Sequence, residues 1–521
     1  MVKRLDLLDL ALAFMVLFFA PMFLSACLFF VRVPVGGYAA GLGLLLALGY
    51  LGAVRRNGPA VLIVLAATAA ALGISNAVLD LSWDGLGYHQ PAIDDLRHGL
   101  NPVYERFTRI YNEHYPKATW YFGATVYHAL HDIQFAKVYQ FVLLFAALCY
   151  GQHVFRRQSL PVRLLAALAC LNPVALCQLF TFYVDGALAS LSAICVFYAW
   201  RQFTAGADDA DGPGSAEHAL LLMALISLTN LKFTGLVYSL IVLGFLWLWL
   251  WRRRSFRAAR RFALALAVPA LCGMLVVGYS PYVTNLLQGK HIFHPLAGPE
   301  KEDILSYHSP KGFTNMDRFR KLALGLAARS GHYNFKRAVE LKPPFFVTAE
   351  EWAAYESPDL RIGGFGPLFS GILLVALLVA IRYPAGLSWW TIALLLGLTL
   401  VNPESWWARY VPFFWLLPFF LQMGRRVPSW IRYVLFGIML INVCGLAWVN
   451  ATGAVRDSAD VGNKLGALTG QLCCVPEHYF YFKPTLDRFG VIELADERLF
   501  DETFAACQQL HHDASICCMV K

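Results

Sequence analysis

Residues Leu5 to Val31 read LDLLDLALAFMVLFFAPMFLSACLFFV. The apolar residues form a block rather than an amphipathic stripe, so no polar face is left for water. The block exceeds the ~20 residues a helix needs to cross ~30 Å of hydrocarbon. Its core is longer than that of a signal peptide and no small-residue cleavage pattern follows, so it reads as a retained first span.

Similar blocks recur at Pro59–Leu79, Val184–Trp200, Leu236–Trp251, Phe262–Val283, Phe365–Ile381 and Trp430–Val449. Across 521 residues, 58% are hydrophobic and 15% charged, whereas soluble domains run at about 45–50% and about 25%. A lone strand would leave its backbone unsatisfied in lipid, so the spans are helices. The net charge of +9 could suggest nucleic acid, but the basic residues cap apolar blocks: Lys3-Arg4, Arg55-Arg56, Arg156-Arg157, Arg252 to Arg254 with Arg257, Arg260 and Arg261, then Arg382 and Arg425-Arg426. Short basic loops mark the cytoplasmic side. Placing all of these inside gives an all-α integral membrane bundle of about thirteen transmembrane helices, with the N-terminus cytoplasmic and the C-terminus outside. Compact loops and high Ala, Leu and Arg content point to a bacterial inner membrane.

This arrangement makes residues 1–449 the membrane domain. Two long outside loops interrupt it, at 80–134 and 284–364, and residues 450–521 form a small soluble tail. Five of the twelve cysteines lie in that tail, where an oxidising compartment permits disulfides. The adjacent Cys-Cys pairs lack zinc-ligand spacing. No Walker loop, GxGxxG turn or HExxH is present, which argues against an ATP-driven pump.

The polar residues that stand out all map to the outer edge of the bilayer. The first loop opens Ser82-Trp83-Asp84-Gly85-Leu86-Gly87-Tyr88-His89 and later reads His114-Tyr115-Pro116-Lys117. Asp94 and Asp95 between them read as a solvated helix face. Tyr183-Val184-Asp185 and Lys232-Phe233-Thr234 lie at later outside turns, and Trp406-Trp407-Ala408-Arg409-Tyr410 at the end of a late span. Charges at a membrane edge are functional candidates. Here cations could hold a lipid phosphate while a carboxylate takes a proton. Each also has a plainer reading: Asp84 or His89 as a helix cap, Lys117 snorkelling to the headgroups, Asp185 pairing with a neighbouring cation, and Arg409 anchoring at the interface.

The order of these motifs resembles the GT-C superfamily of polyprenyl-phosphate-dependent glycosyltransferases, which includes protein O-mannosyltransferases and aminoarabinose transferases. An acid just after a span in the first long outside loop matches Asp84. Tyr115-Pro116-Lys117 resembles the basic, proline-containing stretch of that loop, and Tyr183-Val184-Asp185 and Lys232-Phe233-Thr234 resemble two later turns. The likeness weakens after Val283. Two features depart from it: Gly85 stands where the mannosyltransferases carry a second acid, and three spans rather than one precede the loop.

The resemblance implies a GT-C bundle that transfers a sugar, with inversion, from a polyprenyl-phosphate carrier to an extracytoplasmic hydroxyl on a glycan, lipid or protein. Asp84 would be the general base and Asp185 the organising acid. Lys117, Lys232 and Arg409 would face the phosphate, with Tyr88, His89 and Tyr183 binding substrate. Two acids could hold Mg²⁺ or Mn²⁺, although no dense carboxylate cluster demands it. The rival readings are a flippase for a lipid-linked sugar, which expects charges near the midplane and paired repeats, and an O-antigen ligase or polymerase built on a basic outside loop.

Overall fold

The computed structural model describes residues 5–205, 212–303, 305–384, 386, 389–424, 426–475, 480–493, 505–511 and 514–519. Among them, seven helices are long and apolar enough to cross a membrane: Leu7–Phe30, Gly37–Val54, Gly58–Ala77, Ile133–Val154, Phe233–Arg253, Phe256–Val277 and Ser429–Gly466. Shorter apolar helices lie at Leu160–Cys170, Ser215–Thr229, Phe369–Arg382, Trp389–Val401 and Pro412–Leu421. Gly37–Val54, Gly58–Ala77 and Phe256–Val277 expose Leu45, Leu62, Leu264 and Leu271, a surface that calls for lipid rather than water.

The centre of the bundle is the helix Asp185–Thr204, whose residues are almost all buried and which packs on Tyr139–Val154 and Ser215–Thr229. Its first turns are rich in Gly, Ala and Ser, and small residues let helix backbones approach closely in a membrane. At Gly186 an added Cβ would lie 3.0 Å from Ala175 Cα and from Gln140 Oε1. Asp185 heads this helix, so its carboxylate faces the positive end of the helix dipole.

Two regions differ from the expected all-α outline. The apolar stretch Trp430–Val449 lies inside a helix that continues to Gly466, so the tail grows directly out of a span. The tail also contains a four-stranded sheet, β1 (Leu472–Cys474), β2 (Ile492–Glu493), β3 (Ala505–His511) and β4 (Ala514–Met519), in the order β2-β1-β4-β3. β1 and β2, of three and two residues, are too short to show a period in sequence. Disulfides fasten them, Cys473–Cys518 joining β1 to β4 and Cys507–Cys517 joining β3 to β4.

The tail is packed onto the first loop. Its core residues Val461, Leu465, Phe482, Leu486 and Ile516 cluster with Leu79 and Leu86. Trp83 meets Phe480 edge-on at 4.8 Å, and the Tyr481 hydroxyl donates to Asp94 Oδ2 at 2.6 Å. Asp94 is therefore only 4% exposed, not part of a solvated face: the chain folds a distant segment over it.

Candidate functional site

Three separate segments bring carboxylates to one guanidinium. Arg409 donates from Nη2 to Asp84 Oδ2 at 2.7 Å and from Nε to Asp185 Oδ2 at 2.8 Å. Its Nη1 also forms an ion pair with Asp359 Oδ2 at 3.0 Å. Lys232 Nζ donates to Asp185 Oδ1 at 2.6 Å. Three acids against two cations leave one negative charge, which a single proton would neutralise. Aromatic rings enclose the cations. Tyr183 lies 4.5 Å and Trp407 5.5 Å from the Arg409 guanidinium, and Tyr410 lies 4.4 Å from the Lys232 ammonium.

Local structure explains how each side chain gets there. Asp84 sits at the head of the π-helical turn Gly85–His89. Asp80, at the start of the same loop, ties it down: Oδ1 accepts from Ser82 N–H at 2.9 Å and Oδ2 from Phe182 N–H at 2.8 Å. That second bond joins the first loop to the turn carrying Tyr183 and Asp185. Gly85 is required beside it, because a Cβ there would stand 2.0 Å from Asp80 Oδ2. A second acid in this place would displace the Asp80 carboxyl, which gives the departure at Gly85 a physical reason.

Asp185 is fully enclosed and also receives Gln178 Nε2 at 3.4 Å. Lys232 comes from the turn between Ser215–Thr229 and Phe233–Arg253, and Arg409 from the turn Ala408–Tyr410. Asp359 is delivered by the large loop. Leu360 and Ile362 are buried there, and alternation along an extended segment turns Asp359 and Arg361 the other way. Gly363 follows at φ +79°, where a Cβ would meet Ser330 Oγ at 2.2 Å, so only glycine closes this turn.

His89 lies beside the cluster with Tyr88 against its ring at 4.3 Å. Trp120 Nε1 donates to its Nδ1 at 2.7 Å, so the neutral ring carries its proton on Nε2. That Nε2 is buried without a partner among the described residues. Burial holds the imidazole neutral, with a pKa down at about 4. Tyr88 continues into a patch with Tyr111 and Tyr115.

Lys117 is placed differently from the other cations. Its Nζ donates to the carbonyls of Glu113 and Tyr115 at 2.8 and 2.9 Å and faces Phe107 and Trp120. Burial brings its pKa down to about 7, and no carboxylate of the cluster touches it.

Asp84, Asp185, Lys232, Arg409 and Tyr183 thus meet at one point, with Tyr88 and His89 alongside. Sequence reasoning missed Asp359 and Asp80. Asp359 had one available signal: Asp359-Leu360-Arg361, an acid and a base just ahead of a glycine turn and a span, a reversed counterpart of Asp84 just after one. Among the described residues, no group of three or more His, Cys, Asp or Glu is arranged to hold a metal ion.

Two solved structures are similar to this chain. One is ArnT from Cupriavidus metallidurans bound to undecaprenyl phosphate, 11% identical, covering 89% of this chain and 98% of that one with a TM-score of 0.47. The other is ArnT from the same organism in the apo state, 11% identical, covering 84% and 87% with a TM-score of 0.49. No protein-family model matches the chain, and no curated protein matches it.

Proposed function

We propose that the chain is a membrane glycosyltransferase of GT-C type that moves a sugar from a polyprenyl-phosphate carrier to an extracytoplasmic hydroxyl. The observation that carries this reading is Arg409, which gathers Asp84, Asp185 and Asp359 from three separate segments, with Lys232 behind Asp185. A purely structural staple would not need three acids on one cation, because desolvating each ion costs several kcal/mol. An enclosed set of fixed charges does suit a reaction in which charge moves from a hydroxyl to a departing phosphate.

In this reading the acceptor oxygen attacks the anomeric carbon from the face opposite the phosphate, so the configuration inverts. The bond from that carbon to the phosphate oxygen breaks, and its electron pair leaves with the lipid phosphate. Asp185 fixes Lys232 and Arg409. Arg409 donates to Asp84 and Asp185 through two of its five N–H groups and pairs with Asp359 through Nη1, and the others remain for the phosphate. The neutral His89 Nε2–H is a further donor for the sugar or the phosphate. A carboxylate of the cluster takes the acceptor proton. Because the donor is already activated, positioning and charge stabilisation supply most of the catalysis.

The test uses the purified chain in nanodiscs with radiolabelled undecaprenyl-phosphate sugars. Release of undecaprenyl phosphate by the wild type, and its loss in Arg409→Ala, is the expected result. Passage of intact labelled lipid across a sealed vesicle without donor consumption would overturn the reading in favour of a flippase.

A further inference from the structure

The three acids on Arg409 are not equivalent. Asp185 is wholly enclosed and accepts hydrogen bonds from both cations. Asp84 accepts a charge-assisted bond at 2.7 Å. In both, the bond commits a carboxylate oxygen to orienting Arg409. Asp359 meets Nη1 only as an ion pair, and its other oxygen, Oδ1, is enclosed without a hydrogen-bond partner among the described residues. Its side chain is also the most open of the three, 22% exposed against 16% for Asp84 and 0% for Asp185.

Two further polar atoms near the cluster lack partners among the described residues: Trp407 Nε1, whose ring lies 5.5 Å from the Arg409 guanidinium, and His308 Nδ1, whose ring packs on that of Trp407. Their rings lie 6.0 Å apart. Buried polar atoms left unpaired in a native fold call for an explanation, and a bound partner is one. A hydroxyl, which both donates and accepts, complements a set made of a carboxylate oxygen and ring nitrogens.

We propose that Asp359, not Asp84, takes the acceptor's proton, and that Trp407 Nε1 and His308 Nδ1 seat a hydroxyl-bearing acceptor beside it. The assignment rests on the transferase reading above. As the acceptor oxygen bonds to the anomeric carbon, its proton passes to Asp359 Oδ1, while the carbon–oxygen bond to phosphate breaks and the phosphate keeps the electron pair. Asp84 is then a positioning residue that holds the plane of Arg409. The titratable and charged groups facing Asp359 are Arg409, Arg361, Asp84, Asp185, Tyr183 and Tyr410. Burial and the two acids push its pKa up to about 6 against the pull of the arginines, which is where a base working near neutral pH is most effective. The large loop thereby builds the acceptor side of the centre.

The experiment follows undecaprenyl-phosphate release from synthetic undecaprenyl-phosphate pentoses and hexoses by the full chain in nanodiscs between pH 5 and 9, with water as the stand-in acceptor. The wild-type rate should climb to a plateau with a midpoint near pH 6. Asp359→Asn should lose that limb and about 100-fold or more in rate, with the donor KM nearly unchanged. Formate should restore part of the rate to Asp359→Gly, and Asp359→Glu should keep the limb. Asp84→Asn should be slower yet retain the limb. If Asp359→Asn keeps the limb and Asp84→Asn loses it, the assignment is overturned and the transferase reading stands. If the wild type releases phosphate from none of the donors, the transferase reading falls and takes the assignment with it.

Discussion

Replacing Asp359 by asparagine should make the protein more stable at neutral pH while removing its activity. Burial raises the Asp359 carboxyl from its ordinary 3.8 to about 6, so the folded state resists ionising it. The shift of roughly two pKa units corresponds to about 3 kcal/mol at 1.36 kcal/mol per unit. The sign follows from linkage. A folded-state acid with a raised pKa binds its proton more tightly than the unfolded chain does, so stability falls as pH rises from 3.8 through 6, and the full cost is present above about 6. Asparagine removes that cost and keeps an amide oxygen for Arg409. With about 2.1 cal/mol/K of unfolding entropy per residue, a chain of this size gains roughly 3 °C in Tm for 3 kcal/mol. Thermal unfolding in detergent should show the variant melting about 3 °C higher at pH 7.5, with the gap falling to about a third by pH 4.5. A variant that melts lower than wild type at pH 7.5, or a gap equal at both pH values, would refute the reasoning.

Other consequences are as direct. Asp185→Asn should cost about 3–5 kcal/mol by leaving Lys232 buried beside a neutral partner; adding Lys232→Met should recover most of it, read from Tm in detergent. Gly85→Ala should force Asp80 off Phe182 N–H and destabilise by about 1–3 kcal/mol, with faster proteolysis of the first loop as the check. Removing the Cys473–Cys518 bridge, whose ends are 45 residues apart, should cost about 4 kcal/mol of chain entropy in the tail. Limited proteolysis should then release the tail fragment while the bundle survives. Lys117→Met should affect folding more than donor binding, because its Nζ is committed to the carbonyls of Glu113 and Tyr115; a donor Kd weakened more than about tenfold in a well-folded variant would contradict this.

Much of the site was legible as a set of motifs. Asp84, Asp185, Lys232 and Arg409 each stand out because a charge at the edge of an apolar block is costly and is therefore conspicuous. Their convergence could not be read, because hydropathy locates each residue along the membrane normal and leaves its position within the plane open. Lys117 shows the consequence: it shares the motif logic of the other cations, yet two of its three N–H groups go to neighbouring carbonyls. Asp94 shows the reverse, a surface-looking acid buried by a tail nearly four hundred residues away.

The sequence by itself determined that the chain is a helical membrane protein, since runs of about twenty apolar residues have no other stable home. It also determined which charges had to find partners. Only the tertiary structure decided which partners they found. The large loop turns Asp359 toward Arg409 because Leu360 and Ile362 go inward and Gly363 allows the turn, and none of that pairing is local in the chain. Burial then converts three ordinary aspartates into unequal ones, since the energy of a charge depends on the groups that surround it after folding.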